Sequence, residues 1–286
     1  MNTSEMTKQL WAKALFEFNP NNFEDNNHLG LFESFEFYAY HILNYKSQWK
    51  LIENFGPVVL SGPFKGLKFP MPEIINNLES LLGKDGGSAF ISKYLLGTYE
   101  SELHKPILSI SNNEYDSVVD LGCSLGYYAA GLGKMFPNAH IHAYDANPKI
   151  KDSLSALINE NELSSRTTFG DFWRNEHFEI IKNQRSLIFC DIEGAEIDLL
   201  DPSKNDMLKD FDFIVEMHDV FNKSISKEIC RRFENSHQIE VYKNNSYEFN
   251  LPPESQVLTD LELSAVLNEM RGGETPWALL RSKSRI

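Results

Sequence analysis

The sequence predicts an α/β fold in which a mostly parallel sheet of seven strands is flanked by helices. From Ser117 onward, short runs of apolar and β-branched residues alternate with segments of helical periodicity. This alternation is typical of a parallel sheet with helices on both faces. The run SVVDLGCSLG, residues 117–126, ends in two glycines before the next helical segment. A buried strand, a glycine turn and a helix are the layout of a ligand-binding turn at the carboxyl end of a parallel strand.

The predicted strands are short and evenly distributed along the second part of the chain. They are residues 117–121, 139–144, 166–169, 186–190, 212–217, 237–242 and 277–281. Right-handed crossovers bring the ends of successive parallel strands to one edge of the sheet. Functional residues are therefore expected along that edge.

Residues 1–112 have a different pattern, which predicts a mainly helical N-terminal cap with a short β-hairpin near 57–69, whereas residues 113–286 are predicted to form the core. The predicted cap helices are 4–18, 29–55, 72–82, 89–96 and 99–110, with a loop at 84–88. Of the 35 aromatic residues, 17 lie before residue 100, so this part has a concentrated aromatic surface to bury. Core packing, a bulky substrate's pocket and a homo-oligomer interface are the alternatives.

Composition narrows the classes of partner. The chain has 286 residues, 24% of them charged, and a formal net charge of -14. This charge disfavours nucleic acid, because binding phosphates generally needs a basic face. The three cysteines show no Cys-x-x-Cys spacing, which argues against a disulfide framework or a zinc site. We find no signal-peptide pattern and no run of 18 apolar residues, so a cytoplasmic protein without membrane insertion is expected.

The turn after the first strand is the first candidate site. It reads Asp120-Leu-Gly122-Cys123-Ser124-Leu-Gly126. Ser124 stands where a dinucleotide fingerprint needs its second glycine, and no Gly-Lys-Ser/Thr follows as in a P-loop. An acid before the glycines suits a cationic ligand such as S-adenosylmethionine, which carries an ammonium and a sulfonium but no phosphate. Here the chain resembles the class I S-adenosylmethionine-dependent methyltransferases, whose first motif is acid-x-Gly-x-small-x-Gly.

That resemblance implies further contacts to the methyl donor. Asp145 ends the second strand, 19 residues after Gly126, and its carboxylate can accept both hydrogen bonds of a ribose diol. Enzymes that use NAD share this device. Asp171 can accept from the adenine amine while Phe172 packs on the ring; a helix cap is the alternative for Asp171. Asp191 is placed to meet the ammonium of the donor. The complete predicted set is Asp120, Gly122, Cys123, Ser124, Gly126, Tyr127, Asp145, Ala146, Asn147, Asp171, Phe172 and Asp191.

The most specific stretch follows the fourth strand and reads Asp191-Ile-Glu193-Gly-Ala-Glu196. It is similar to the Asp-x-Glu-Gly-Ala-Glu motif of the FkbM-type methyltransferases. Residues 62–66, 97–103 and 214–219 also resemble that family, and the resemblance spans about 56–280. The sequence departs from the family near its end, where glycines follow Arg271, so the resemblance implies no role for Arg271.

The acceptor side is predicted around the fifth strand. Glu216 and His218 are two residues apart and lie on one face of that strand. His218 could remove a proton from an acceptor hydroxyl, with Glu216 or Asp219 orienting the imidazole. Alternatively, Asp191, Glu193, Glu216 and His218 could hold Mg²⁺, or His218 could be structural. The catalytic candidates are therefore His218, Glu193 and Glu216.

Three residues upstream of the first strand, Tyr99, Glu100 and His104, are candidates for closing over the cofactor or substrate. A helical turn with its polar face toward solvent is the alternative for these three residues.

The expected activity is S-adenosylmethionine-dependent O-methylation in biosynthesis, with a hydroxyl or carboxylate of a small molecule, glycan or peptide as acceptor. The alternatives are an NAD-dependent oxidoreductase and a non-catalytic scaffold that binds S-adenosylmethionine.

Overall fold

A computed structural model describes residues 28–71, 91–243, 251–269, 271 and 273–285, with side chains from residue 39 to 284. The helices predicted at 4–18 and 72–82, and the loop predicted at 84–88, lie outside the described residues. Within the described part of the chain, no helix is both long enough and apolar enough to cross a membrane.

The predicted seven-stranded, mostly parallel sheet is confirmed. Its strands, numbered β1 to β7, are Ser117–Leu121, His140–Tyr144, Thr167–Gly170, Ser186–Cys190, Asp212–Glu216, His237–Tyr242 and Trp277–Ser282. Each boundary lies within one residue of its predicted position. The central strands β1, β4 and β5 form from short, mostly apolar runs in which every residue is buried. The outer strands β3 and β6 are mostly half-buried or exposed.

The strand order is β3-β2-β1-β4-β5-β7-β6. The chain therefore builds the sheet in one direction from β1 to β3 and in the other direction from β4. In such sheets, ligands bind outside the carboxyl ends of the strands at the point where the direction changes. Here that point lies between β1 and β4. The register places Leu121 opposite both Tyr144 and Cys190, so the loops after β1, β2 and β4 leave the sheet at the same level.

Strand β7 lies between β5 and β6 and is antiparallel to both. Trp277, its first residue, pairs with Glu216, the last residue of β5. Because β7 runs in the opposite direction, the chain that enters it arrives at the carboxyl edge of the parallel strands. This reversal brings residues just before Trp277 to the edge where the candidate site lies.

Eight α-helices accompany the sheet in the described residues, numbered α1 to α8 in chain order. They are His28–Phe55, Ser92–Leu96, His104–Ser109, Tyr127–Met135, Lys151–Glu160, Glu196–Leu199, Ile225–Phe233 and Asp260–Leu267. The helix that Asp171 would cap in the alternative interpretation is a 3-10 helix, Asn175–Ile181, and its N-cap is Arg174. The alternative role of Asp171 as a helix cap is therefore wrong.

The chain divides into two compact units. The described part of the first unit comprises 28–61, 69–71, 91–99 and 251–269, and contains α1, α2 and α8. Helix α1 is joined to α8 by Asn44, whose amide donates to the Ala265 carbonyl at 3.1 Å, and by Lys50, which lies 2.6 Å from Glu262. Glu262 also completes a capping box with Thr259 at the start of α8.

The second unit comprises 62–68, 100–243, 271 and 273–285 in its described part, and contains the sheet with α3 to α7. Its core includes the buried aromatic side chains Phe178, Phe211, Phe213 and Phe233.

The boundary predicted at 112/113 and the N-terminal cap stay predictions. The hairpin predicted near 57–69 is reduced to single bridging residues at Val58 and Lys68. Turn hydrogen bonds within 62–67 use backbone donors that a longer ladder would need.

Candidate active site

The loop after β1 is held in a conformation that favours glycine. Gly122 has φ +77°, and a Cβ there would lie 1.6 Å from the carbonyl oxygen of Asp191. The N–H groups of Gly122 and Cys123 both donate to the carbonyl of Tyr144, at 2.9 and 3.1 Å. Gly126, with φ +93°, leads into α4. The loop after β1 is therefore in direct contact with the chain that leaves β2 and β4.

Asp145 is fixed against this loop. One of its carboxylate oxygens accepts from the Ser124 N–H at 2.8 Å, and the other accepts from the Asn147 N–H at 2.7 Å. Each oxygen keeps further acceptor capacity, since a carboxylate oxygen has two lone pairs. The carboxylate is thus oriented in advance and can still accept two hydrogen bonds from a ligand.

Asp120 lies beneath the loop and is buried, with no hydrogen-bond partner for its Oδ2 among the described residues. Burial, opposed by a hydrogen bond from the Ala129 N–H and reinforced by the charge of Asp145, raises the pKa of Asp120 to about 8. The carboxyl therefore keeps its proton near neutral pH. When a bound cation displaces that proton, the Asp120 carboxyl becomes negatively charged.

The other residues predicted to contact the methyl donor differ in how exposed they are. Cys123 and Tyr127 are buried, and the Tyr127 ring packs against Phe64 with centroids 5.2 Å apart. Ala146, Asn147, Asp171 and Phe172 are exposed on the chain that follows β2 and β3. The guanidinium of Arg174 lies 5.9 Å from the centre of the Phe172 ring.

The turn after β4 folds back on itself. Glu193 has φ +54° and Gly194 has φ +99°, which lets Glu196 Oε1 accept from the N–H groups of Ile192 and Gly194, both at 3.2 Å. The same oxygen lies 2.8 Å from Nδ1 of His218, two residues after the end of β5. Glu196 is fully buried. It therefore holds both the turn and the imidazole.

Glu196 is the residue that orients His218, and the expectation that Glu216 or Asp219 does so is wrong. Asp219 instead accepts from the N–H and hydroxyl groups of Ser226, at 2.9 and 2.5 Å. Glu216 lies on the other side of the ring. The short turn DIEGAE brings Glu196 back beneath β5, which the linear sequence does not reveal.

Nε2 of His218 faces three carboxylates. The nearest oxygens are Asp191 Oδ1 at 3.5 Å, Glu193 Oε2 at 3.4 Å and Glu216 Oε2 at 3.5 Å. We call this group of four side chains the carboxylate–histidine centre. Glu193 is 75% exposed, whereas Glu216 and His218 are 7% and 5% exposed, so the centre opens to solvent on the side of Glu193.

The charges in this centre shift two pKa values. Burial, followed by the charges of Glu216 and Glu100, raises the pKa of Asp191 well above its ordinary value. Burial alone would lower the pKa of His218, but its hydrogen bond to Glu196 and the charges of Glu216, Glu196 and Glu193 outweigh this and raise it. Both shifts favour bound protons. An excess of negative charge thus gathers here, and a cation can replace those protons.

Arg271 supplies one positive charge nearby. Its guanidinium lies 2.9 Å from Glu216, 3.1 Å from Glu100 and 3.2 Å from Glu102, and it donates to the Thr275 hydroxyl at 3.0 Å. Glu100 also accepts a short hydrogen bond from the Tyr128 hydroxyl. Arg271 therefore links the segment before β7 to β5 and to the segment before α3.

The three residues predicted to close over the cofactor or substrate lie in different surroundings. Glu100 joins the carboxylate–histidine centre through Arg271 and Glu216. His104 is the first residue of α3. Tyr99 belongs to the first unit, where its ring lies 4.3 Å from that of Tyr94 and 4.8 Å from the Lys93 ammonium.

Several solved methyltransferase structures are similar to this chain. The O-methyltransferase TomG from Streptomyces achromogenes, solved with S-adenosylmethionine, is 9% identical with a TM-score of 0.40, over 61% of this chain and 76% of its own. An S-adenosylmethionine-dependent O-methyltransferase from Thermotoga maritima is 14% identical, with a TM-score of 0.41 over 61% and 62%. An rRNA methylase from Streptococcus thermophilus is 10% identical, with a TM-score of 0.42 over 63% and 96%. No family model and no curated protein matches the chain.

Two functional candidates were missed from the sequence. Glu196 lies within the quoted motif, and its signal was a third carboxylate where only two were assigned. Arg271 had a weaker signal: an arginine close before a final strand whose direction the sequence does not state. The edge carries more acids than the one cation assigned to it, the ammonium of the methyl donor, and this surplus was the clue that a basic partner must be near.

Proposed function

We propose that the protein is an S-adenosylmethionine-dependent methyltransferase that acts on an oxygen atom of its acceptor. The observation that carries the proposal is the pair of carboxylates, Asp145 and Asp191, on either side of the glycine loop at the point where the sheet changes direction. Such an edge offers hydrogen-bond acceptors and negative charge. It suits a ligand with hydroxyl groups and cations.

The methyl donor fits these groups chemically. Asp145, held by two backbone N–H groups, would accept from the ribose diol. Asp191 has a buried Oδ1 with no hydrogen-bond partner among the described residues and would meet the ammonium. Asp171 and Phe172 would bind the adenine. A pyrophosphate would need donors and cations, and Arg271, the nearby guanidinium, already contacts three carboxylates.

The donor, when bound, supplies an electrophilic methyl group on a sulfonium. The protein's part is to hold the acceptor oxygen in line with that methyl carbon and to keep water out. The acceptor would approach the carboxylate–histidine centre, where the Phe221 ring is stacked on His218 with centroids 5.7 Å apart. Phe221 is an exposed apolar side chain and would form one wall of the acceptor site.

The proposed acceptor is a hydroxyl or carboxylate of a small molecule, glycan or peptide. Nucleic acid is a poor candidate given the net charge of -14. A cytoplasmic location and a homo-oligomer formed through the aromatic N-terminal region belong to the same proposal.

Calorimetry with S-adenosylmethionine, its demethylated product and NAD tests the donor. We expect the first two to bind and NAD not to bind. Asp145→Asn should weaken donor binding at least tenfold, because the amide nitrogen cannot accept from the diol. Asp116→Asn is a matched control before β1. NAD binding in preference to the donor, or equal donor affinity in both variants, would contradict the proposal.

A second experiment tests catalysis itself. Labelled donor is incubated with panels of hydroxyl-bearing and carboxyl-bearing acceptors, and the product is hydrolysed with alkali to separate esters from ethers. Transfer to oxygen supports the proposal, and transfer to nitrogen alone contradicts the oxygen assignment. Donor binding without transfer to any panel favours a non-catalytic scaffold.

A further inference from the structure

The carboxylate–histidine centre has the chemistry of a metal site. Ligand atoms of Asp191, Glu193 and His218 all lie within 4.8 Å of one another. These three residues come from two loops that meet at the carboxyl edge of β4 and β5. Glu216 Oε2 faces the same point from the end of β5. An imidazole nitrogen and carboxylate oxygens are common ligands of divalent transition metals.

We propose that this centre binds one divalent transition-metal ion through His218 Nε2, Asp191, Glu193 and Glu216. The proposal concerns metal binding and does not depend on methyl transfer. It replaces the general-base interpretation of His218, because a metal would occupy the lone pair that a base uses.

The imidazole is positioned as in many metal sites. Its Nδ1 is held by Glu196 at 2.8 Å, which fixes the tautomer with the Nε2 lone pair directed at the carboxylates. A carboxylate on the second nitrogen is the usual companion of a metal-bound histidine. His218 is buried, and Asp191 Oδ1, 3.5 Å from its Nε2, is a buried oxygen with no hydrogen-bond partner among the described residues. A buried carboxylate oxygen that faces a ring nitrogen without a hydrogen bond indicates a missing partner.

The distances point to an ion between these atoms. The three Nε2–oxygen separations of 3.4–3.5 Å are too long for good hydrogen bonds. Two ligands of one metal, each about 2.1 Å from it in a tetrahedral arrangement, lie roughly 3.4 Å apart. The three Nε2–oxygen separations therefore match those of atoms arranged around a shared cation.

The charge balance leads to the same conclusion. Four carboxylates, Asp191, Glu193, Glu196 and Glu216, surround His218. Among the described residues, the one guanidinium in contact with this group is that of Arg271, which is shared with Glu100 and Glu102. Like charges at such distances repel unless a cation lies among them. S-adenosylmethionine carries a net charge of about +1, which leaves most of the excess uncompensated. A divalent ion would compensate two more of these charges.

The ligand set also ranks the metals. Mg²⁺ prefers oxygen ligands and retains water, whereas an imidazole ligand favours later divalent ions. One nitrogen with carboxylate oxygens therefore predicts that Mn²⁺ binds more tightly than Mg²⁺. Mg²⁺, which the sequence analysis gave only as an alternative, is thus the weaker candidate.

The experiment measures Mn²⁺ binding to the metal-stripped full chain by electron paramagnetic resonance, without methyl donor. We expect stoichiometric loss of the free Mn²⁺ signal, and at least tenfold weaker competition by Mg²⁺. Glu193→Gln should weaken Mn²⁺ binding at least tenfold. Its matched control, Glu179→Gln, also changes an exposed glutamate and should bind like the wild type. His218→Gln should abolish binding.

Equal Mn²⁺ affinity in Glu193→Gln and wild type would overturn the proposal, as would a folded wild type that leaves Mn²⁺ free. Because Glu193 is exposed, the test does not depend on a variant that fails to fold. Donor affinity is measured on the same samples. A protein that binds Mn²⁺ but no donor keeps this inference while contradicting the proposed function, and the reverse result does the opposite.

Discussion

Glu196 Oε1 lies 2.8 Å from His218 Nδ1, and both side chains are almost completely buried. The same oxygen accepts hydrogen bonds from the N–H groups of Ile192 and Gly194. One carboxylate thus joins the turn after β4 to the end of β5. The acceptor side of the proposed active site depends on this contact.

Glu196→Ala should destabilise the protein. The substitution leaves two backbone N–H groups and one imidazole nitrogen without their acceptor, and a buried unsatisfied polar group costs about 1–3 kcal/mol. We expect the free energy of unfolding, measured in urea, to fall by at least that amount. The control is Glu193→Ala at the neighbouring exposed glutamate, which should change it little. Equal stability of the two variants would show that Glu196 does not hold the turn.

Arg271→Met should lower the free energy of unfolding by more than a typical single substitution does. It leaves Glu100, Glu102 and Glu216 without their shared guanidinium, and breaking a buried ion pair costs about 3–5 kcal/mol. Urea unfolding measures the loss. Arg271→Lys retains the charge but not the planar guanidinium fork. Its free energy of unfolding should therefore lie between those of the wild type and Arg271→Met. Arg231→Met, on the exposed face of α7, is the control; a loss of similar size there would contradict the interpretation.

Gly122→Ala and Gly66→Ala separate backbone strain from steric overlap. Both glycines have positive φ, +77° and +89°, but an added Cβ meets Asp191 at Gly122 and nothing within 4 Å at Gly66. Gly66→Ala should cost about 1–2 kcal/mol, the penalty of the left-handed conformation. Gly122→Ala should cost clearly more and weaken donor binding, because the chain after β4 must move. Thermal unfolding and calorimetry measure both effects. Similar results for the two variants would argue against the close approach.

Asp120 predicts a pH dependence of stability. Its pKa is raised to about 8 in the folded protein, while an unfolded aspartate titrates near pH 4. Between these values the folded state retains a proton that the unfolded state has lost. Stability therefore falls as the pH rises through this window, by up to about 1.4 kcal/mol per pH unit. Above about pH 8 this contribution no longer changes.

Asp120→Asn removes this titration while keeping the shape of the side chain. The difference in unfolding free energy between variant and wild type, measured in urea at pH 5, 6 and 7, should grow in favour of the variant as the pH rises. A difference that stays constant over this range would show that Asp120 is ionised in the folded protein. The comparison is made without methyl donor, since a bound cation would favour the ionised form.

Local sequence determined the sheet and the position of its edge. Strands β1 and β4 are runs of apolar residues that end at Asp120-Leu-Gly122 and Cys190-Asp191, and short apolar runs followed by turn residues identify buried parallel strands without knowledge of their neighbours. The carboxyl ends of parallel strands necessarily share an edge. For that reason the sequence alone places Asp145, Asp191 and His218 along one edge of the sheet.

The tertiary structure decided which of these residues contact one another. Strand β7 is antiparallel, and its direction brings Arg271 to Glu216; no local pattern encodes strand direction. The Glu196–His218 contact arises because a six-residue turn reverses beneath the neighbouring strand, and its partners are 22 residues apart. Periodicity reports what a segment buries, whereas side-chain pairing between distant segments depends on how the whole sheet is assembled.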